Sequence, residues 1–168
     1  MAADSGRSLT GNNPGEENIR GGLSTIEEKS LGAVIKSGTR PIDGLVGVAE
    51  HPGKSGLYLM DGPSFSPESM TGFAASGAQL MLFTTGPGNS FASALAPTIK
   101  ITAQAETSRR LVEQIDFDAS VVGTETGMLH EVADRLFDTI LDIAGGTLTW
   151  GEVLGEGLEV PTRVRGSL

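Results

Sequence analysis

The stretch Leu80-Met81-Leu82-Phe83-Thr84, followed by Thr85-Gly86-Pro87-Gly88-Asn89-Ser90, joins a short apolar run to a turn rich in glycine, proline and small polar residues. An apolar run of this length that ends at turn residues is typical of a buried β-strand. Residues 57–60 form a second such run, which ends at Asp61-Gly62-Pro63, and residues 99–101 form a third. The sequence therefore predicts three buried strands, of which at least two lead directly into tight turns.

Helical patterns lie around and between these strands. Thr25 is a predicted N-cap for a helix over residues 26–36, with Glu28 as its capping-box partner and Gly38 as its end. Ser66 is a predicted cap for a second helix, which ends at Gly77. Further helices are predicted over residues 108–114 and 129–143, a helix or turn over 90–94, a strand or helical remnant over 44–49, and a short strand over 121–122.

Alternating strands and helices predict an α/β fold, here a single three-layer domain with a mainly parallel sheet. We expect strands 57–60, 80–84 and 99–101 to be adjacent and parallel. Residues 1–22 are predicted to be a flexible or loop-like lead-in, and residues 23–168 the α/β domain. The fold is Rossmann-like without a dinucleotide fingerprint, because Gly86-Pro87-Gly88 does not continue as G-x-G-x-x-G and position 91 is Phe.

Ligands of such sheets collect beyond the carboxyl ends of the strands. Asp61, Thr84, Thr85 and Gly86 fall at that edge, and turns before helices expose backbone N–H groups that suit carboxylates or phosphates. A similar turn, Gly11-Asn12-Asn13-Pro14, precedes the first predicted helix. We therefore expect Asn13, Asp61, Thr84 and Thr85 to converge on one rim.

Composition narrows the function classes. The 168-residue chain carries a net charge of −9 and no cysteine. The negative charge argues against a nucleic-acid partner, and an anionic substrate would need a bound cation or a local basic cluster. Without thiolates, any metal must be held by oxygen or imidazole. No apolar run is long enough to span a bilayer and no secretory signal opens the sequence, so a cytoplasmic protein is expected.

Two acidic groups have both a functional and a structural interpretation. Asp116 and Asp118 lie two residues apart, a spacing that suits a hard cation or simply a solvated turn. Glu27-Glu28-Lys29 lies at a helix start, where carboxylates also stabilise the helix dipole.

Taken together, these motifs resemble the C-terminal region of the altronate/galactarate dehydratase family. The resemblance covers nearly the whole chain with its spacing kept, and it rests on Gly11-Asn12-Asn13-Pro14, Asn18, the run from Gly21 to Gly32, Ala49-Glu50, Gly56-Leu57, Met60-Asp61, Pro67-Glu68-Ser69, Thr71-Gly72, Ala75-Ser76-Gly77-Ala78, Phe83-Thr84-Thr85-Gly86, Pro97, Ile99-Lys100, Ile115-Asp116 and Ala144-Gly145-Gly146.

The resemblance implies a hydro-lyase that dehydrates a sugar acid to a 2-keto-3-deoxy acid with a divalent metal, Fe²⁺ first and Mn²⁺ or Mg²⁺ as alternatives. Related members act on sulfolactate as lyases. On the matching positions, Glu28, Lys29 and Asp61 are expected to be catalytic and Asp61 and Asp116 to hold the metal. Asn13 and the turn Thr84, Thr85 and Gly86 are expected to bind substrate.

The sequence also departs from the family pattern, which favours Asp at Asn12, Arg at Pro87 and a further acid where Gln114 or Ile115 stands. Family enzymes are also much longer, and this chain resembles roughly their last third. We therefore expect a partner chain that supplies the upstream region, and leave a homo-oligomer open. A non-catalytic subunit or decayed domain, a sulfolactate-lyase-type subunit and a small-anion binding module are the alternatives.

Overall fold

The structure is a computed structural model that describes residues 11, 14–20, 22–63, 65–125 and 128–161. Its elements run along the chain in the order α1 (Glu16–Arg20), α2 (Ile26–Lys36), β1 (Gly44–Gly47), β2 (Tyr58–Asp61), α3 (Ser66–Ala75), β3 (Met81–Thr84), β4 (Thr98–Thr102), α4 (Ala105–Arg110), β5 (Phe117–Asp118), a 3₁₀ helix (Ser120–Gly123), α5 (Leu129–Ala144) and α6 (Trp150–Val153). The α1 helix lies inside the stretch predicted as a lead-in.

The strands form two parallel sheets. β3, β4 and β5 make a three-stranded sheet with β4 at its centre, while β1 and β2 pair in a separate two-stranded sheet. This confirms the α/β class and the parallel neighbours β3 and β4. The predicted pairing of β2 with β3 is wrong, because β2 pairs with β1. That pairing is extended at its start by Asp43, whose N–H donates to the Leu57 carbonyl at 2.7 Å.

The three-stranded sheet is covered on both faces. Ile99 and Ile101 of β4 and Phe117 of β5 pack on Val132 and Ile143 of α5. Met81 of β3 points to the other face, where it joins a second cluster with three buried residues, Met70 of α3, Phe91 and Ala96. All five residues of β4 are buried, as expected for the central strand of a covered parallel sheet.

Lys100, in the middle of β4, is fully buried with an exposure of 0%. Its ammonium group lies 2.7 Å from the Glu156 carboxylate and donates to the Ser90 carbonyl at 3.1 Å. A buried ammonium group is unfavourable unless it is paired and hydrogen-bonded. Both partners are therefore needed for β4 to occupy the centre of the sheet.

The segment that carries Glu156 folds back along the loop before β4. The Leu158 N–H donates to the Ala92 carbonyl at 3.1 Å, and the Val160 N–H donates to the Thr71 hydroxyl at 2.8 Å. The Glu159 carboxylate accepts from the Ser93 hydroxyl and from the Ala94 N–H. We call residues 154–160 the C-terminal strap, because they tie α3 and the loop before β4 to the end of the domain.

Several element boundaries differ from the sequence prediction. The helix predicted over residues 108–114 is α4, which begins and ends earlier, with the 111–114 stretch forming turns. Residues 121–122 lie in a 3₁₀ helix rather than a strand, and the neighbouring strand is Phe117–Asp118. Residues 90–94 are irregular. The helix after β2 begins at Ser66, so its N-cap is Phe65 rather than Ser66. The long helix α5 and the strand at 44–47 agree with the predicted positions.

No helix within the described parts of the chain is both long and apolar enough to cross a membrane.

Replacing Glu156 by Gln should destabilise the fold strongly, because it leaves the Lys100 ammonium group buried without a counter-charge. We expect a loss of about 3 kcal/mol in the free energy of unfolding, at the low end of values for broken buried pairs, since the Glu156 side chain is 27% exposed. Urea unfolding measures the loss. The matched control is Glu106→Gln, which breaks the exposed Arg109–Glu106 pair and should cost less than about 1 kcal/mol. Equal losses in the two variants would contradict the role of the buried pair.

Glu159 should make the fold sensitive to acid. Burial raises the pKa of its carboxyl, but hydrogen bonds led by the Ser93 hydroxyl outweigh burial and hold the pKa below the ordinary value of 4.5. The ionised carboxylate therefore stabilises the fold above about pH 4.5, and this contribution is lost as the pH falls through the lowered pKa. Glu159→Gln should reduce the loss of stability between about pH 6 and pH 3, measured by urea unfolding. The same substitution at the exposed Glu113, in the turns between α4 and β5, should leave that loss unchanged.

Candidate functional site

The turn after β3 is held at the carboxyl edge of the three-stranded sheet. The Thr85 N–H donates to the Ile101 carbonyl at 2.9 Å, which carries the ladder with β4 one residue past the end of β3. The Thr85 hydroxyl accepts from the Gly88 N–H at 3.1 Å and closes the turn. Thr84 is exposed, and both Thr85 and Gly86 are half-buried. The turn therefore presents polar groups to solvent from a fixed backbone.

Two threonines from neighbouring elements fix the Gly86 carbonyl. It accepts from the Thr107 hydroxyl of α4 at 2.7 Å and from the Thr102 hydroxyl at the end of β4 at 3.4 Å. Both threonine side chains are buried. The position of the turn is therefore determined by β4 and α4 as well as by its own sequence.

A cavity of about 700 Å³ opens beside this turn, between the carboxyl edge of the sheet and α5. Its polar wall is the turn and Gln104, and its apolar wall comes from the strand ends and one face of α5. Every lining residue is uncharged: Thr84, Thr85, Gly86, Ile101, Ala103, Gln104, Phe117, Ala119, Val122, Leu129, Val132, Ala133 and Leu136. The cavity can hold hydroxyl and carbonyl groups, but its lining supplies no counter-charge for a carboxylate.

Arg110 places a cation beside the turn, through a hydrogen bond to the turn's backbone. Its guanidinium group donates to the Pro87 carbonyl at 3.3 Å and is otherwise exposed. Sequence reasoning missed both Arg110 and Gln104. The sequence predicts a helix that continues past Arg110 to residue 114. In the structure, α4 ends at Arg110, beside the turn.

Asp61 lies at the carboxyl end of β2, in the two-stranded sheet, and is exposed. Its register partner is Gly47, whose N–H donates to the Glu50 carboxylate at 2.7 Å. Asp61 and Glu50 therefore flank the same glycine. Between Gly47 and Glu50, Ala49 has a φ of 64°, a left-handed conformation that L-residues rarely adopt and that is enriched at functional sites. Glu50 is a second acid at this edge that sequence reasoning did not assign to the site.

Glu28 and Lys29 lie in the first turn of α2, where both are exposed. The Thr25 hydroxyl accepts from the Glu28 N–H at 3.2 Å, which confirms the predicted cap. The Glu28 carboxylate accepts from the N–H and the hydroxyl of Ser24 at 2.9 and 2.6 Å, rather than from the Thr25 N–H. The Ser24 hydroxyl, more than the Ser24 N–H, lowers the pKa of Glu28 below its ordinary value, so this carboxylate is arranged as a helix cap.

Asp116 has a structural position. Its two carboxylate oxygens each accept a backbone N–H at 2.7 Å, one from Lys100 and one from Trp150, so the side chain joins β4 to the start of α6. It lines a smaller cavity, of about 250 Å³, that is distinct from the one beside the Thr84 turn. Asp118 accepts from the Ser120 N–H at 2.8 Å. Burial raises the pKa of Asp118, but hydrogen bonds from Ser120 and Ser108 together hold it below its ordinary value.

The described residues do not fit a metal centre, because nowhere among them do three or more His, Asp or Glu side chains form a group that could hold an ion. The structure brings Thr84, Thr85 and Gly86 together on one cavity. Asp61, Asp116, Glu28 and Lys29 do not line that cavity. Asn13 and its neighbour Asn12 lie outside the described residues, so the convergence of Asn13 with the other rim residues stays a prediction.

Comparison with known proteins places this domain in a family. Residues 1–165 match the family described as D-galactarate/altronate dehydratase, C-terminal, and the chain belongs to that family. It is 41% identical over 157 residues to the (2R)-sulfolactate sulfo-lyase subunit beta of Chromohalobacter salexigens, covering 93% of this chain and 40% of that subunit. It is 34% identical to the galactarate dehydratase (L-threo-forming) of Escherichia coli and 32% identical to the altronate dehydratase of Bacillus subtilis.

The matches to those two dehydratases cover 80% and 81% of this chain but only 26% and 27% of the two enzymes. The chain thus spans well under half the length of the curated relatives it matches. The relatives named here are a sulfo-lyase subunit and two dehydratases, in agreement with the family that the resemblance indicated.

Replacing Gly88 by Ala should destabilise the turn at the cavity. Gly88 has a φ of +97°, and a Cβ there would lie 2.3 Å from the Leu111 side chain. We expect a loss of about 1–3 kcal/mol in the free energy of unfolding from the strained backbone, measured by urea unfolding. Gly123→Ala is the matched control, because a Cβ at Gly123 meets no atom within 4 Å and its φ is outside the left-handed region. A Gly88 variant as stable as this control would contradict the geometry of the turn.

Proposed function

We propose that this chain is the C-terminal part of a lyase that eliminates a substituent from C3 of a 2-hydroxy acid, with a sugar acid of the altronate or galactarate type as substrate. The product is then a 2-keto-3-deoxy acid. The observation that carries the proposal is the fixed Thr84–Gly86 turn at the carboxyl edge of a parallel sheet, in a chain that belongs to the dehydratase family.

The proposed reaction removes the proton on C2, next to the carboxylate, and expels the group on C3. In a dehydration the leaving group departs as water once protonated, and the resulting enol becomes the 2-keto acid by taking a proton on C3. The difficult step places extra negative charge on the substrate carboxylate, so hydrogen-bond donors and cations beside that group lower the barrier. A base removes the C2 proton and an acid assists the leaving group.

The described residues offer donors for part of this work. The Thr84 and Thr85 hydroxyls and the Gly86 backbone are proposed to hold substrate hydroxyl or carboxylate oxygens, with Asn13 as a further contact. Arg110, beside the Pro87 carbonyl, is proposed to supply the cation that the uncharged cavity lacks. Arg110 is proposed to replace the positive charge that the family pattern has at position 87, because its guanidinium group contacts the Pro87 carbonyl.

Asp61 is proposed as the acid or base of the reaction, with Glu28 and Lys29 as the other candidates. Asp61 is supported by its place at a strand end and by the second carboxylate, Glu50, on the other side of Gly47. A divalent metal, Fe²⁺ first, stays a proposal from the resemblance alone. Because the described residues form no group that fits it, no step of this reaction is assigned to a metal.

A sulfo-lyase is the second candidate, favoured by the 41% identity over 93% of this chain to a sulfolactate sulfo-lyase subunit. The reaction has the same form, because the C2 proton is removed and sulfite leaves C3 in place of water. In either case the chain spans 26–40% of the relatives, so we propose that a further polypeptide region completes the site. The remaining alternative is a subunit that keeps the fold but has lost its activity, and no added region would make such a subunit active.

Activity should depend on this missing region. We expect the lone chain to be nearly inactive on galactarate, altronate and (2R)-sulfolactate, because the lining of the cavity is uncharged and does not include Asp61. A hybrid subunit, in which this chain replaces the 157 matched residues of the Chromohalobacter subunit, should release 2-keto acid, and sulfite from sulfolactate. Assays with added Fe²⁺, Mn²⁺ or Mg²⁺ measure both products.

In the active hybrid, Asp61→Asn should lower the rate on the order of a hundredfold if Asp61 transfers a proton. Asp138→Asn, at an exposed position of α5, is the matched control and should keep full activity. Full activity of the lone chain would refute the dependence on a further region. Silence of the hybrid with every acid and metal would favour the inactive-subunit alternative.

A further inference from the structure

One face of the two-stranded sheet of β1 and β2 carries exposed leucines. Successive residues of a strand point to opposite sides, and register partners point to the same side. Leu45 and Leu59 are register partners, with exposures of 68% and 47%. We call the side that carries these two leucines the outer face.

The inner face of the same sheet lies against α3 and also lines a cavity of about 920 Å³. Val46 is buried, and its register partner Met60 is half-buried. The Met60 side chain lies so close to α3 that a Cβ on Gly72 would come within 3.2 Å of it. The contrast between the faces matters because parallel sheets are normally covered on both sides, and a two-stranded sheet is marginal by itself.

The carboxyl end of the outer face is acidic. Asp61 lies two residues after Leu59 and so points to the same side. A Cβ on Gly47, also on this side, would lie 3.4 Å from the Glu50 carboxylate, which places that carboxylate there too. Asp43 comes directly before β1, where its carboxylate accepts from the Leu57 N–H at 2.9 Å. Carboxylates therefore stand at both ends of the apolar centre.

We propose that the outer face of β1 and β2 is the surface on which the region of the lyase absent from this chain docks, and that this docking completes the site around Asp61. The inference rests on the proposed function for the identity of that region. The chemistry expected of that region follows from the face: apolar side chains to cover Leu45 and Leu59, and cationic groups opposite Asp61 and Glu50.

Length and charge favour this occupant over a second copy of the chain. The named relatives have 60% or more of their length outside the matched part, which is ample material to cover the face. A two-fold dimer would place each face against itself and so bring like carboxylates together, in a chain of net charge −9.

Binding of the absent region tests the proposal directly. The probe is the Chromohalobacter subunit without its 157 matched residues, titrated into the full 168-residue chain without substrate. The Leu45→Gln, Leu59→Gln double variant should raise the Kd at least tenfold. The control is Leu95→Gln with Val112→Gln, which changes two leucine- or valine-sized side chains of similar exposure, 72% and 62%, outside the face. It should bind like the wild type.

Hydrogen exchange in the hybrid subunit gives a second measurement if the truncated probe does not fold. The amides of Gly44–Gly47 and Tyr58–Asp61 should exchange at least tenfold more slowly in the hybrid than in the lone chain. The double variant should abolish this protection. Equal binding, or equal protection, in the face and control variants would overturn the proposal. So would a dimer of the lone chain, seen by sedimentation, that the double variant dissociates.

Failure of this proposal and failure of the proposed function give different results. If the hybrid is active and its β1 and β2 amides are protected equally with and without the two leucines, the lyase function stands and the docking surface is refuted. If binding depends on the two leucines but no acid reacts, the docking surface stands and the proposed activity is refuted.

Discussion

A charge at the centre of the sheet sets the main constraint on this structure. Lys100 occupies the middle of the buried strand β4 with no exposed surface, so its ammonium group must find a counter-charge inside the domain. Glu156, 56 positions later, provides it at 2.7 Å. The C-terminal strap must therefore fold back over the loop before β4, where Glu159 binds Ser93 and the neighbouring N–H. Strand, loop and strap consequently form as one unit.

The position of the Thr84–Gly86 turn follows from that unit. β4 holds the Thr84–Gly86 turn through the Ile101 carbonyl and the Thr102 hydroxyl. The central strand therefore fixes the backbone at the rim of the cavity. Asp61 belongs to the other sheet, which lies against α3 on one face and carries the exposed Leu45 and Leu59 on the other. The two parts of the proposed site thus differ in how firmly the described residues hold them, in a chain that spans 26–40% of its relatives.

The sequence predicted the elements whose signal is local. The strand before Thr84, the cap at Thr25 and the amphipathic helix α5 depend on residues close together in the chain, and all three are present. Pairing was harder, because apolar runs do not specify which strand is the neighbour, and the ambiguous 44–49 stretch turned out to supply the partner of β2. The structural use of Asp116 and the contact of Arg110 with Pro87 depend on residues 16 to 34 positions apart, which spacing patterns do not report.

We propose that this chain supplies only part of a lyase site, with the Thr84–Gly86 turn as its substrate-binding portion. The decisive measurement is a crystal structure of the hybrid subunit with lactate, a 2-hydroxy acid that has no leaving group on C3. The acid should lie within hydrogen-bond distance of the turn and should also contact residues from outside the 168-residue chain. An acid bound away from the turn, or held entirely by this chain, would contradict it.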